Sequence, residues 1–487
     1  MLENGEKHGP QPGSPRQQPN ILFILTDDQG PWALGCAGND EIATPHLDRL
    51  AADGIRFDHF FCTSPVCSPA RASILTGRIP SQHGIHDFIK GAVERDFLQG
   101  QTTYVDMLAD AGYTCGISGK WHLGNSSVRH PAFGHWYVHA KGSGPYYRAP
   151  MYRDGELIVE EGYITDVITD DALAFLDRAA DGDRPFYLSV HYTAPHSPWI
   201  NGEHPRHLLD LYEDCAFATC PQQEAHPDSV YRYEQQYLRP CLEGYFAAVS
   251  GVDANVGRLM RKLEQLGIRE NTLVVFMSDN GFNCGHHGIW GKGNGTFSLN
   301  MYDTSVKIPV IVSQPGRIPQ GKVCSDLLSQ YDVFPTLLEY AGLPLPDKPH
   351  LPGRSFAPVL RGEPMPEREQ VVIYDEYGPV RMVRTREWKY VHRFENEAHE
   401  LYNMSEDPDE AVNRYGQPAY GAIIASLQGL LTDWFATYVD PARDGARMPV
   451  KGNGQLRPVG TQSKAAAAAA GPAFDQNRTA KYDPLYE

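Results

Sequence analysis

Two stretches far apart in the chain end in the same way. "NILFILTDDQG" (20–30) and "TLVVFMSDNG" (272–281) are each an apolar run of strand length that stops in adjacent acid or amide side chains. Their length and their β-branched and aromatic content read as parallel strands buried on both faces. "RPFYLSVHYTAPHSP" (184–198) reads as a third strand, followed by a His-bearing loop, and "VKIPVIVSQPG" (306–316) as a fourth. Helical patterns lie between them, at 244–267 and 331–344, with apolar residues three and four apart. Strands that alternate with helices predict an α/β fold with a mostly parallel central sheet flanked by helices. Ligands of such sheets sit beyond the carboxyl ends of the strands. Asp27, Asp28, Asp279 and Asn280 are expected there, four oxygen donors with no His or Cys among them. That set suits a hard cation, calcium first and magnesium next, whereas zinc would prefer His or Cys. The alternative is that these acids only cap loops and helices.

The chain has 487 residues, long for one core, so a large domain with a smaller companion is expected. The boundaries read as a flexible N-terminal tail over 1–19, a catalytic domain over 20–365, a C-terminal α+β subdomain over 366–440 and an extended tail over 441–487. From about 369 the texture changes to short strands and turns, "QVVIYDEYGPVRMVRTREWKYVHRF", and then an amphipathic helix at 422–438. "AAAAAA" and "GNG" mark the last tail as having little structure of its own. A net charge of −17 argues against nucleic acid and anionic membranes as partners. No run of 18 apolar residues suggests a membrane helix. Residues 1–19 carry no apolar h-region, and nine scattered cysteines without a C-x-x-C pair read as free thiols. Both features lead to the expectation of a cytoplasmic protein. The oligomeric state is not legible.

"SPVCSPARASILTGR" (64–78) poses a separate question, because it puts a thiol at the mouth of a helix. Ser68 is a suitable N-cap and Pro69 a suitable first-turn residue, so a helix is expected to start right after Cys67 and to stop at Gly77. Cys67 then sits where anions are favoured, with Arg71 one turn on. The competing reading is a buried structural cysteine.

"CSPAR" followed by "SILTGR" resembles the signature of the type I sulfatases of the alkaline phosphatase superfamily. "NILFILTDDQG", "TPHLDRLAADGIRF", "GKWHLG", "PHSP", "SDNG", "WGKG" and "ELYNMSEDPDE" resemble further blocks of that family in its order, over roughly residues 20–440. The resemblance implies an alkaline-phosphatase-like fold and hydrolysis of a sulfate ester, with a sulfated carbohydrate as the expected substrate class. It implies that Cys67 is oxidised by a formylglycine-generating or sulfatase-maturing enzyme to formylglycine, whose hydrate is the nucleophile. It implies one calcium ion held by Asp27, Asp28, Asp279 and Asn280, with modified Cys67 completing the shell. Arg71 would orient and charge-stabilise the formylglycine. Lys120 would touch sulfate and nucleophile, and His122 would take the proton of the hydrate. His196 would protonate the leaving oxygen, and Lys292 would be the second sulfate lysine. His86, Asp87, Asn283, His286, His287 and Trp290, in "HGIHD" and "NCGHHGIW", flank these blocks and are candidate sugar contacts, with loop packing as the equal alternative. A phosphodiesterase or phosphonate monoester hydrolase of the same superfamily, and an inactive sulfosugar-binding relative, remain open alternatives.

Overall fold

The computed structural model describes residues 18–91, 95–200, 202–346, 350–365, 372–394, 398–460 and 471–475. Residues 1–17 of the expected N-terminal tail, and the six alanines, lie outside the described residues.

A ten-stranded sheet forms the spine. Its strands are β1 (Asn20–Thr26), β2 (Ile55–Phe57), β3 (Thr114–Gly119), β4 (His135–His139), β5 (Ala149–Arg153), β6 (Glu156–Glu160), β7 (Phe186–His191), β8 (Thr272–Ser278), β9 (Val310–Ser313) and β10 (Lys322–Cys324). Their spatial order is β10-β2-β9-β8-β1-β7-β3-β4-β5-β6. The five central strands, β8-β1-β7-β3-β4, are all parallel, and antiparallel strands extend the sheet on both sides. All seven residues of β1 and of β8 are buried, as continuous apolar runs require when helices cover both faces. They pair in register from Asn20 opposite Thr272 to Thr26 opposite Ser278. The two acid-bearing ends therefore stop side by side.

Helices α1 (Pro45–Ala52), α2 (Cys67–Thr76), α3 (Ile164–Ala180) and α4 (Gln235–Gln265) pack on the sheet. α4 begins nine residues before its sequence pattern suggested. Pro240 lies inside the helix, and the Gln236 carbonyl it cannot bond is on the exposed face, where water can serve it. α2 also differs from expectation. It begins at Cys67 itself, after an extended Val66 that provides no side-chain cap. Its first helical bond runs from Ala70 N to Val66 O at 3.2 Å. Ser68 does not cap it, because its Oγ is used elsewhere. The stop is as expected: Gly77, at φ 66°, closes the helix by donating to Ser73 O at 2.9 Å.

Four antiparallel strands, β11 (Val372–Tyr377), β12 (Val380–Arg384), β13 (Trp388–Arg393) and β14 (Glu400–Asn403), form a second sheet, and helix α5 (Gly421–Tyr438) packs beside it. Residues 441–460 and 471–475 carry no helix or strand, yet Val450, Gln455, Val459 and Phe474 are buried. The described part of the segment read as a tail is packed against the body. Among the described residues no helix is long and apolar enough to cross a membrane.

Candidate active site

The carboxyl ends of β1, β3, β7 and β8 and the N-terminus of α2 meet at one buried point. Asp27 follows β1 and donates its amide to Ala194 O at 3.1 Å. Asp28 turns the chain away in the left-handed region, φ 64°, an uncommon conformation for aspartate that is typical of functional turns. Its amide donates to Asp279 Oδ1 at 3.2 Å. Asp279 and Asn280 follow β8, and Asn280 Nδ2 donates to Asp28 Oδ1 at 2.8 Å. Ligand oxygens of Asp27, Asp28 and Asp279 all lie within 4.8 Å of one another.

Three cations face these three acids. Lys120 Nζ donates to Asp27 Oδ2, and neither side chain is exposed. Lys292 Nζ donates to Asp28 Oδ1 at 2.5 Å. Arg71, buried in the second turn of α2, donates from Nε to Asp279 Oδ2 at 2.9 Å and from Nη1 to Lys120 O at 3.1 Å. The pairing sets the charges. Burial pushes Asp27 up, but Lys120 and His196 outweigh it and hold the carboxyl below its ordinary value. Asp28 is lowered against burial in the same way by Lys292 and His196. Asp279 is raised, because burial and the neighbouring Asp27 exceed what Arg71 supplies. Lys292 is held well above its ordinary value, the acids overcoming its burial. Burial raises the Cys67 thiol, and Lys120 and Lys292 partly offset that rise.

Lys120 reaches the site through a close approach of strands. Gly119 ends β3 at φ 114°, where a Cβ would lie 1.9 Å from His191 O, and Lys120 N then donates to that same oxygen at 2.7 Å. Two residues on, His122 is also left-handed, at φ 55°. Its Nε2 bonds Ile89 O at 2.9 Å, and a Cβ on Gly142 would fall 2.1 Å from Nε2, so only glycine lets the 140–144 loop close over the ring. Burial, with Lys120 second, pushes His122 well below the usual histidine range and keeps it neutral. His196 stands on the loop after β7, part-buried. Its Nδ1 bonds Ser197 O at 2.9 Å and its Nε2 lies 3.6 Å from Asp28 Oδ2. Asp27 Oδ1, Asn280 Oδ1, Arg71 Nη2 and His122 Nδ1 are buried with no hydrogen-bond partner among the described residues.

These residues fit a metal. The donors are oxygens alone, two of them are buried polar atoms without partners, and three acids converge at one point, with Asp279 left raised although Arg71 faces it. Asp27, Asp28, Asp279 and Asn280 would hold the ion.

Thus Asp27, Asp28, Asp279, Asn280, Cys67, Arg71, Lys120, His122, His196 and Lys292 come together. The six candidate sugar contacts are each held by packing or hydrogen bonds of their own. His86 is buried, with Nε2 bonded to Arg443 O at 2.9 Å. Asp87 is buried and accepts from Phe88 N, Tyr377 Oη and Gly454 N. Asn283 donates to Gly291 O and Ser305 Oγ and accepts from Thr304 Oγ1. His286 bonds Cys284 N and Thr219 O. His287 stacks on Tyr302 with ring centres 3.9 Å apart. Trp290 is buried among Trp199 and Tyr233 and donates Nε1 to Gln222 Oε1 at 3.2 Å. For these six, packing is what the structure shows.

Three residues that sequence reasoning missed hold the site in place. His191 ends β7, with Nδ1 bonded to Lys120 O at 3.1 Å, and burial lowers its pKa to about 3, with Arg71 adding to the effect. Its place at the end of "FYLSVH" was the available signal. Gln330 donates to Asp279 O at 2.6 Å and accepts from Thr63 N at 3.0 Å. Tyr245 on α4 donates to Asp28 O at 2.8 Å and accepts from Gly30 N at 2.9 Å. Neither of these two had a local signal.

Comparison with known proteins agrees with this geometry. The profile of the sulfatase family matches residues 19–343. A second profile, described as N-sulphoglucosamine sulphohydrolase, C-terminal, matches residues 285–436. The chain is similar to an N-acetylglucosamine-6-O-sulfatase of Bacteroides thetaiotaomicron, 31% identical with 87% of each chain covered. It is similar to the N-acetylgalactosamine-6-sulfatase of Canis lupus familiaris, 32% identical over 73% of this chain and 68% of that one. A structure solved in complex with its substrate D-glucosamine-2-N,6-O-disulfate superposes with a TM-score of 0.75 at 27% identity, covering 88% of this chain and 99% of the other. A phosphonate monoester hydrolase of Agrobacterium radiobacter, at 20% identity and TM-score 0.68 over 87% and 96% of the two chains, shares the fold. The chain belongs to the sulfatase family, as a type I sulfatase of the alkaline phosphatase superfamily and so a sulfuric ester hydrolase.

Proposed function

We propose that this sulfatase releases inorganic sulfate from a sulfated saccharide, with a 6-O-sulfated amino sugar as the first class to test. In this reading Cys67 acts as formylglycine and one calcium ion is bound at Asp27, Asp28, Asp279 and Asn280. The observation that carries the reading is the meeting of an oxygen-only acid cluster with Lys120, Lys292 and Arg71 around Cys67 at a helix N-terminus. The amino-sugar class rests on the relatives named N-acetylglucosamine-6-O-sulfatase and N-acetylgalactosamine-6-sulfatase.

The formylglycine would supply a geminal-diol nucleophile, and calcium would supply charge neutralisation for sulfuryl oxygens. The chain's own groups do the rest. Lys120, Lys292 and Arg71 present fixed positive charge from buried positions, where it counts most toward the charge of the transition state. His122 gives its Nε2 hydrogen to the Ile89 carbonyl, which leaves the lone pair on Nδ1. Held neutral by burial, that nitrogen can take the nucleophile's proton at once. His196 stands at the more open side, its Nδ1 hydrogen given to Ser197 O, and hands a proton from Nε2 to the leaving oxygen. The 140–144 loop seals His122 from above.

The test is sulfate release from N-acetylglucosamine 6-sulfate and N-acetylgalactosamine 6-sulfate, with a phosphodiester as control. Wild type is compared with Cys67→Ala, both confirmed folded by circular dichroism. Turnover by wild type and a loss on the order of 10⁶ in the variant are expected, the scale seen when a covalent nucleophile is removed. Equal rates in the two would refute the nucleophile. Hydrolysis of the phosphodiester alone would move the chain to the phosphohydrolase alternative.

A further inference from the structure

His122 owes its orientation to one carbonyl, that of Ile89, and that carbonyl is placed by a segment that lies beyond both matching profiles. The second profile ends at residue 436. Beyond it the chain crosses back over the loop Gly84–Lys90, and Gln455 pairs with that loop through all of its polar atoms. Its backbone N donates to Phe88 O at 2.6 Å and its backbone O accepts from Lys90 N at 3.1 Å, a parallel bridge centred on Ile89. Its Oε1 accepts from His86 N at 2.7 Å and Asp87 N at 3.2 Å. Its Nε2 donates to Gly84 O and Arg457 O, both at 2.8 Å. Gly454 N donates to Asp87 Oδ2 at 3.0 Å, Val459 N donates to Gly84 O at 3.0 Å, and Arg443 O holds the His86 ring. Gln455 has no exposed surface.

What the loop holds in turn is the reacting centre. Ile89 O receives His122 Nε2 at 2.9 Å. Ile89 N donates to Ser68 Oγ at 3.1 Å, and Ser68, next to Cys67, passes that hydroxyl's hydrogen to His122 O at 3.0 Å. One residue therefore links the base and the first turn of the nucleophile helix.

We propose that residues 440–460 and 471–475 form a strap that completes the active site, and that Gln455 is its positioning residue, acting through Ile89 on His122 and on the Cys67 end of α2. The proposal rests on the role given to His122 above. A glutamine suits the place because one planar amide supplies an acceptor for two consecutive amides and donors for two carbonyls. An outer partner that fixes the tautomer and direction of a functional histidine is commonly worth about 10–100-fold in activity. His86 and Asp87, which looked like sugar contacts in the sequence, are the strap's anchor points.

The experiment is a double-mutant cycle between Gln455→Leu and His122→Ala, read as kcat and KM on the hydrolysed sulfate ester under single-turnover conditions at high enzyme. Gln455→Leu keeps the buried volume and removes the amide. It is expected to lower kcat about 10–100-fold with KM within about twofold. In the His122→Ala background the same change should alter kcat by less than about twofold, since coupled residues are non-additive. Gln455→Glu, which keeps Oε1 but not the donation to Gly84 O, should fall between. If Gln455→Leu does not fold, the Gln455→Glu cycle decides. An unchanged kcat in the folded variant, or losses that multiply in the double variant, overturns the strap's role. Full activity of His122→Ala alone would instead refute the base assignment on which the proposal stands.

Discussion

Asp27, Asp28 and Asp279 are three buried carboxylates opposed by Lys120, Lys292 and Arg71. That balance holds two acids below their ordinary range and leaves Asp279 above its own, so the set retains capacity for further positive charge. Hard oxygen donors select calcium over zinc. Chelator treatment is therefore expected to abolish sulfate release and lower the melting temperature. Calcium should restore both, since a ligand bound only by the folded state stabilises it. Recovery with zinc but not calcium would overturn the metal assignment. These residues were legible because an apolar run that stops in two acids has few structural excuses. His86 and Asp87 were polar in the same visible way, with sugar contact and loop packing left as equal readings, and the structure holds both in buried hydrogen bonds. Their partners, Arg443, Gly454 and Gln455, lie more than 350 residues away, and no local pattern shows that a polar side chain is already satisfied. Gln455, Gln330 and Tyr245 were missed for the same reason in reverse.

Among the elements, the strands were the easier half, since β1 is apolar from Ile21 to Leu25 and β8 from Leu273 to Met277, and neither needed a partner to be recognised. Helix ends were harder, because their caps can come from elsewhere in the chain. α1 shows this. Thr44 precedes it but uses its hydroxyl on Gly35 N and Asp48. The amides of His46 and Leu47 go instead to the two carboxylate oxygens of Asp253 on α4, at 3.3 and 2.7 Å. Asp253 is a cap supplied from another helix. Burial pushes its carboxyl up to about 7, although both amides pull it down. Asp253→Ala is expected to cost about 1–3 kcal/mol, as the loss of a cap at a buried helix end does. The raised pKa also sets a pH dependence. Between about pH 4 and 7 the unfolded chain has released this proton and the folded chain has not, so Asp253 costs stability as pH rises through that window. Asp253→Asn has no such proton. Its melting temperature relative to wild type should be higher at pH 8 than at pH 5, and a difference that is constant with pH would refute the argument.

At the scale of the whole molecule the second sheet is a buttress for the catalytic loop. Lys389 on β13 has no exposure, and its Nζ reaches Met301 O at 2.8 Å, Asp303 Oδ1 at 2.6 Å and Glu410 Oε1 at 2.5 Å. Arg393 on the same strand donates to Leu299 O at 2.7 Å. Asn300, between these contacts, donates to Lys292 O at 2.9 Å. The change of texture near residue 369 was legible, but not that the later sheet would hold the loop bearing Lys292. The charges at this junction are finely set. Asp303 is held low against burial by Lys389 first and by Arg384 and Lys307 after it, while burial pushes Glu410 up to about 7. Lys389→Met keeps much of the volume and strands both acids. Breaking a buried pair by removing one partner costs about 3–5 kcal/mol, because the remaining charge has no compensation. The two acids would then take up protons more readily than in wild type, so the deficit should shrink as pH falls from 8 to 5. Because the buttress is continuous with the catalytic core, unfolding in denaturant should remain one transition by circular dichroism and by tryptophan fluorescence. A deficit below about 1 kcal/mol at pH 8, or one that grows toward pH 5, would show that Lys389 is not the keystone of this junction.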